Sequence, residues 1–181
     1  MGILKGFRER LADKALKKLA DARLEKPCLL RLEEAASVGI LFNWDKDGHE
    51  SVSRLLSHAL LRGRQVRILG YKPYRPSKGD VRDDHSFSVA DTNRIFKPDS
   101  FSVQHFLSTH YDIVLDLSTE DYYPLLYVLA EVKAGLKVSL DSERKTALAD
   151  LMIRMRTGDD PALLFGQMTH YLEQISKSNP K

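Results

Sequence analysis

The apolar positions of this chain fall into short unbroken runs separated by stretches of helical periodicity. The runs VGILF (38–42), QVRILGY (65–71) and DIVLDL (112–117) are typical of strands that are covered on both faces. Between the first two runs, residues 49–62 place apolar side chains at helical spacing. A strand, a helix and a second strand in this order predict a parallel βαβ unit with a right-handed crossover.

The same alternation continues to the end of the chain. It predicts short strands over 86–90, 137–140 and 151–155. It also predicts a helix over 101–109 capped by Asp99 or Ser100, and a helix over 121–134 ended by Gly135. A last helix starts with Asp159, Asp160 and Pro161, and its buried stripe is Leu164, Met168, Tyr171, Leu172 and Ile175. This order predicts an α/β domain with a doubly wound, mostly parallel Rossmann-like sheet of five or six strands. The expected strand order is 3-2-1-4-5-6, with helices on both faces.

An amphipathic, basic helix is predicted at the N-terminus. Leu4, Phe7, Leu11 and Ala15 share one face, with Leu16 and Leu19 beside them. Pro27 cannot extend a helix and ends this one. The predicted organisation is therefore a basic helix over 1–27, a single domain over 28–176 and a frayed tail over 177–181.

Positive charge is concentrated in this helix. The first 26 residues hold eight Lys and Arg against four Asp and Glu, whereas the other 155 residues carry a net charge of about −1. The candidate docking residues are Lys5, Arg8, Arg10, Lys14, Lys17 and Lys18. Three interpretations stay open: the helix packs its apolar stripe on its own domain, contacts RNA or the ribosome through phosphates, or lies on an anionic membrane surface.

Composition indicates a cytoplasmic protein. A length of 181 residues suits one domain with a substantial core. Cys28 is the one cysteine, which excludes an internal disulfide and a multi-cysteine zinc site. No window reaches the roughly 18 apolar residues that span a bilayer, and the N-terminus lacks the apolar core of a secretory signal.

The turns that follow the first strand and DIVLDL define a candidate crevice, because ligands of such sheets bind where the strand order reverses. Its residues are Asp45, Asp47, His49, Asp116, Ser118 and Glu120. These turns are acidic and poor in glycine, so they do not form a phosphate cradle. Ser118 and Asp121 instead match a helix-capping pattern. No catalytic nucleophile, metal site or cofactor site is predicted.

The stretch YDIVLDLSTEDYYPLLYVLAEVKAGLKVSL (111–140) resembles a family of small cytoplasmic Bacteroidota proteins without an assigned activity. The similarity extends to the basic helix, SVGILF, VRILGY, the segment around Phe87, DLMI and HYLEQI. The same stretch also resembles a half-domain of heptosyltransferase-type glycosyltransferases over about 30 residues. Those enzymes use a second, nucleotide-sugar-binding domain that does not fit within this length.

These features favour a non-catalytic α/β interaction module that docks onto an acidic partner, either RNA, the ribosome or an acidic protein surface, through its basic helix. The first alternative is a small enzyme or ligand-binding domain that uses Asp45, Asp47 and Asp116, with or without a divalent cation. The second alternative is a peripheral membrane adaptor.

Overall fold

The computed structural model describes residues 2–23, 27–28, 30–44, 48–58, 61–76, 84–154 and 160–178. The helices and strands follow one another along the chain in the order that the apolar pattern predicts. Their bounds are α1 Gly2–Asp21, β1 Ser37–Asn43, α2 Gly48–Leu56, β2 Gln65–Lys72, β3 Ser86–Ser88, α3 Phe101–Leu107, β4 His110–Asp116, α4 Tyr123–Glu131, β5 Lys133–Leu140, β6 Leu151–Ile153 and α5 Pro161–Ser178.

The six strands form one sheet in the order β3-β2-β1-β4-β5-β6. Every neighbouring pair runs parallel. The predicted doubly wound α/β fold and its strand order are therefore confirmed. The order reverses between β1 and β4, so the carboxyl ends of these two strands border the crevice where sheets of this kind usually bind ligands.

Helices cover both faces of the sheet and enclose two separate cores. On one face, α2 and α5 pack over fully buried side chains such as Phe42, Ile113 and Phe165. On the other face, α1, α3 and α4 pack over Leu41 and Val128, which are equally buried. Since both faces are covered, the strands are apolar throughout rather than alternating, which accounts for the unbroken runs in the sequence.

The predicted end of α4 is wrong. Gly135 was expected to stop this helix, but it lies inside β5. The helix ends at Glu131, and the buried ammonium group of Lys137 donates hydrogen bonds to the carbonyls of Leu129 and Ala130 at 2.8 and 3.3 Å. A lysine at a helix C-terminus satisfies the last carbonyls and complements the helix dipole. Lys137, rather than Gly135, therefore satisfies the end of α4.

Two other elements, β3 and α2, are shorter than predicted. β3 ends at Ser88, whose hydroxyl accepts a hydrogen bond from the Ala90 amide at 3.2 Å and whose amide donates to Asp91 at 2.8 Å. These bonds form a capped 3-10 turn that competes with continuation of the strand. α2 ends at Leu56 rather than at residue 62.

The buried stripe of α5 is also rotated from the predicted one. Leu164, Met168 and Leu172 are buried as expected, but Tyr171 and Ile175 are exposed. The side of the helix that carries Phe165 faces the core, and Phe165 is completely buried. A stripe centred on this large aromatic ring lies away from Tyr171.

Asp112 joins the amino ends of β1 and β4. Its Oδ2 accepts hydrogen bonds from the Ala36 amide at 2.8 Å, the Ser37 amide at 2.9 Å and the Ser37 hydroxyl at 3.0 Å. The Ser37 amide is the largest influence and lowers the pKa of Asp112. Burial opposes it, while the Ala36 amide, the Ser37 hydroxyl and the nearby His110 lower the pKa further.

This pKa shift predicts a pH dependence of stability. Because folding lowers the pKa of Asp112, its contribution is complete above the ordinary value of about 3.9 and is lost as the pH falls through the folded-state pKa. We expect Asp112→Ala to reduce the free energy of unfolding by about 1 kcal/mol at neutral pH, a low figure because the carboxylate is partly solvated. Urea unfolding measures the difference, which should shrink in strong acid. A difference in the free energy of unfolding that stays constant between neutral pH and strong acid would contradict the prediction.

Candidate functional site

Asn43, the last residue of β1, closes the crevice where the strand order reverses. With its amide oxygen toward the loop after β4, it accepts hydrogen bonds from the Thr119 amide at 3.2 Å, the Thr119 hydroxyl at 2.9 Å and the Glu120 amide at 3.2 Å. We assign this orientation because the opposite one leaves the side-chain nitrogen facing only donors. The Thr119 and Glu120 amides at this edge are therefore already hydrogen-bonded within the protein.

Four residues, here named the Asp116 cluster, form a buried polar network at the carboxyl ends of β4 and β5. The Lys145 ammonium group lies 3.0 Å from Asp116 Oδ2, and each of these two side chains is 2% exposed. The same ammonium donates to the carbonyl and the hydroxyl of Ser118 at 2.7 and 2.9 Å. The Ser139 hydroxyl donates to Asp116 at 2.8 Å. This network ties β4, β5 and the turn after β5 together.

The carboxylate of Asp116 is fully used within this cluster. Its Oδ1 accepts from the amide and the hydroxyl of Ser118, and its Oδ2 accepts from Ser139 and Lys145. A carboxylate offers about four acceptor positions. No acceptor position of Asp116 is left for a metal ion or a substrate.

The contact between Ser118 and Lys145 brings together a hydroxyl and an amine, the groups that act as nucleophile and base in some enzymes with a catalytic serine. However, Ser118 is only 1% exposed, and its hydroxyl donates to Asp116. A substrate carbonyl cannot reach a hydroxyl that is enclosed in this way. The arrangement is suited to stabilising the fold rather than to covalent catalysis.

The structure describes the side chains of three of the six predicted crevice residues. Asp116 and Ser118 belong to the buried cluster, whereas the Glu120 side chain is exposed. Asp45 and Asp47 lie outside the described residues, and His49 lies in the first turn of α2 with its side chain outside them.

The predicted cap of α4 by Ser118 and Asp121 is wrong. The helix begins at Tyr123, with Pro124 in its first turn. Proline lacks the amide hydrogen that a cap would satisfy, and its backbone angle suits this position. Asp121 instead accepts a hydrogen bond from the Ser142 hydroxyl.

A cleft of about 1100 Å³ lies away from the crevice, on the outer side of α5. Polar lining residues include His58, Arg154 and His170. Among the described residues that line it there is no carboxylate. The Arg154 guanidinium lies 2.6 Å from the Asp141 carboxylate and the His170 ring lies 2.8 Å from the Gln174 amide, so both groups have neighbours of their own.

α1 is held on the domain by one of its faces. Ala12 is completely buried, and Leu16 is nearly so. The Tyr123 hydroxyl of α4 donates to Asp13 at 2.9 Å, and burial together with this bond raises the pKa of Tyr123 to about 12. The Arg8 guanidinium lies 4.4 Å from the centroid of the Phe96 ring. The helix is therefore packed against the domain from Arg8 to Leu16.

An ion pair fixes the chain just after α1. The Arg23 guanidinium contacts both oxygens of Asp150 at 2.8 Å, and the same carboxylate accepts the Lys137 amide of β5 at 2.8 Å. Bidentate pairs of this kind are stronger and more directional than single hydrogen bonds. This contact orients the end of α1 relative to the sheet.

The face of α1 that points away from the domain carries three large apolar side chains. Leu4, Phe7 and Leu11 are 74%, 60% and 40% exposed. Spacings of three and four residues place them in one row, which Lys14 and Lys18 continue. These five residues are named the outward row. The small Ala12 side chain allows close approach to the domain, so the packed face is centred on Ala12 rather than on Leu4, Phe7 and Leu11.

Charges are unevenly distributed between the two faces of α1. Of the predicted docking residues, Lys5, Arg10, Lys14, Lys17 and Lys18 are exposed, and Arg8 is exposed but stacks on Phe96. Asp13 faces the domain through its bond to Tyr123, and Glu9 is half-buried. Asp21 lies at the far end of the outward side. Most of the acidic charge within α1 therefore lies away from the outward row.

Comparison with known proteins identifies the family. Within the described part of the chain, no helix is long and apolar enough to cross a membrane. No curated protein and no solved structure matches the chain. The local resemblance to a heptosyltransferase half-domain stays a prediction. A sequence model described as a family of unknown function, DUF6913, matches residues 8–175, which include most of α1 and all six strands. The chain therefore belongs to the DUF6913 family.

Proposed function

We propose that this chain is a non-catalytic interaction module that docks onto an acidic partner through the outward row of α1. The observation that carries the proposal is that a helix packed along one face presents apolar and basic side chains together on the other. Large apolar side chains that stay exposed beside polar ones are typical of binding surfaces.

The packing of α1 supports a preformed surface rather than a flexible arm. Ala12, Leu16, Asp13 and Arg23 all hold the helix by contacts on its domain side or just beyond its end. Because these contacts are made before any partner arrives, docking needs little ordering of the backbone. A preorganised surface of this kind binds with a smaller entropic cost.

The outward row also specifies the chemistry of the partner. Lys14 and Lys18, flanked by Arg10 and Lys17, attract acidic groups, and steering by such a cluster raises the association rate. Phe7 and its apolar neighbours need a surface that removes them from water. The partner should therefore offer acidic groups next to an apolar surface.

Charge reversal tests this proposal. We expect the full chain to shift from the position of a free protein when a native lysate that retains membranes and ribosomes is separated on a density gradient. Lys14→Glu/Lys18→Glu should return it to the free position, because reversed charges repel the acidic partner.

Arg62→Glu/Arg75→Glu is the matched control, since it makes the same change in net charge at exposed residues away from α1. It should leave the gradient position of the chain unchanged. The proposal would be wrong if both double variants behaved alike, or if the unaltered chain migrated as a free protein.

A further inference from the structure

The apolar part of the outward row becomes more exposed toward the N-terminus of α1. The exposed fraction rises from 40% at Leu11 to 60% at Phe7 and 74% at Leu4. The most exposed apolar side chain of the row therefore lies in the first turn of the helix, before Arg8 and its contact with Phe96. An apolar group at this end of the row is accessible to a surface that the helix meets.

Cations continue and flank these apolar residues. Lys14 and Lys18 continue the row, and the exposed Arg10 and Lys17 lie along one side of it. Helices that lie in a membrane interface bury Leu and Phe at the boundary of the acyl chains and keep Lys and Arg at the level of the headgroups. Long lysine side chains extend to this level while their stems stay in apolar surroundings.

We propose that the outward row docks the protein onto an anionic lipid surface, with Leu4, Phe7 and Leu11 entering the interface and Arg10, Lys14, Lys17 and Lys18 contacting lipid phosphates. This inference rests on the docking function proposed above and names its partner. The helix lies on the bilayer and does not cross it.

The charge distribution of the whole chain supports this orientation. The first 26 residues carry a net charge of +4, and the remaining 155 carry about −1. An anionic membrane surface therefore attracts the α1 side and does not attract the rest of the domain. RNA fits the row less well, because phosphate contacts would use the lysines and leave Leu4 and Phe7 in water.

Vesicle flotation with the full chain tests the inference. We expect the chain to float with vesicles that mix phosphatidylglycerol with phosphatidylcholine and to stay unbound with phosphatidylcholine alone. Phe7→Ser should weaken partitioning roughly tenfold, the effect of keeping one phenylalanine in water. Lys14→Glu/Lys18→Glu should weaken it by more than about thirtyfold, since each basic residue near an anionic surface contributes about fivefold.

The chain offers a matched control for each variant. Phe101 is 71% exposed on α3, so Phe101→Ser removes a phenylalanine of similar exposure from another surface. Arg62→Glu/Arg75→Glu repeats the charge change away from α1. Both controls should bind the mixed vesicles as well as the unaltered chain, and all variants should keep the same thermal unfolding midpoint because the replaced side chains are exposed.

Other outcomes separate this inference from the docking function. If the chain binds a single-stranded RNA oligonucleotide or an acidic protein through Lys14 and Lys18 but does not bind the mixed vesicles, the lipid inference is wrong and the docking function stands. If it binds no vesicles and also migrates as a free protein in the lysate gradient, both are wrong. Equal loss of vesicle binding in Phe7→Ser and Phe101→Ser would also overturn the lipid inference.

Discussion

Replacement of Lys145 by alanine should destabilise the protein by about 3–5 kcal/mol, because it leaves the Asp116 carboxylate buried without its cation. The side chains of both residues are 2% exposed, and their charged atoms are 3.0 Å apart. The variant also removes the hydrogen bonds to the carbonyl and hydroxyl of Ser118. Urea unfolding, followed by circular dichroism, measures this loss.

A second variant separates the loss of the charge pair from the loss of packing. In Lys145→Met/Asp116→Asn the methionine fills the same volume, and the asparagine still accepts hydrogen bonds without a buried charge. We expect this double variant to be more stable than Lys145→Ala by at least about 2 kcal/mol, since replacing both partners of a buried pair costs less than removing one. If the double variant were the less stable of the two, the unpaired charge would not be the cause.

Gly70→Ala should be the second most damaging substitution. Gly70 lies in the interior of β2, and a Cβ atom there would come within 2.5 Å of the Trp44 ring and 2.7 Å of the Phe42 ring. These two rings stack on each other with centroids 5.6 Å apart, so neither can move without displacing the other. We expect a loss of about 1–3 kcal/mol, the usual cost of an overpacked core.

The displaced ring gives this prediction a direct signal. Trp44 is the one tryptophan of the chain and is 4% exposed. Its fluorescence emission should move to longer wavelength in Gly70→Ala if the ring is pushed toward solvent. Gly6→Ala is the matched control, since its Cβ would meet nothing within 4 Å. Equal unfolding midpoints for the two variants would contradict the overpacking argument.

The strand order could be predicted because the apolar runs and the βαβ handedness leave few alternatives. Runs such as VGILF and DIVLDL are buried on both faces, and short helical connections between them favour a doubly wound sheet. The helix ends were harder to predict. The end of α4 depends on Lys137, which is part of the next strand, so a local rule about Gly135 could not find it.

The site was only partly visible in the sequence. Asp116 stands within an apolar strand, and a buried carboxylate requires a partner. This signal predicts that a cation is present but does not identify Lys145, which lies in a turn well beyond the next strand. The role of Asn43 depends in the same way on the loop after β4.

The packed face of α1 illustrates the limit of periodicity. The periodicity predicts one apolar face with Leu4, Phe7, Leu11 and Ala15, and Leu16 and Leu19 beside it. The domain instead contacts a face built on Ala12 and Leu16. Helix packing depends on how closely two backbones approach, and a small residue is favoured at the point of contact. The pattern predicted the amphipathic helix and its cations, while the direction of each face depended on the tertiary structure.

The docking role of the outward row is the central claim, and photo-crosslinking in a native lysate that retains membranes tests it most directly. A benzophenone amino acid would replace Phe7 in one sample and Phe101, which is similarly exposed, in the other. We predict adducts from position 7 that disappear when Lys14→Glu/Lys18→Glu is added, and none with this dependence from position 101. Equal adduct yields from the two positions, or adducts from position 7 that persist after charge reversal, would contradict the claim.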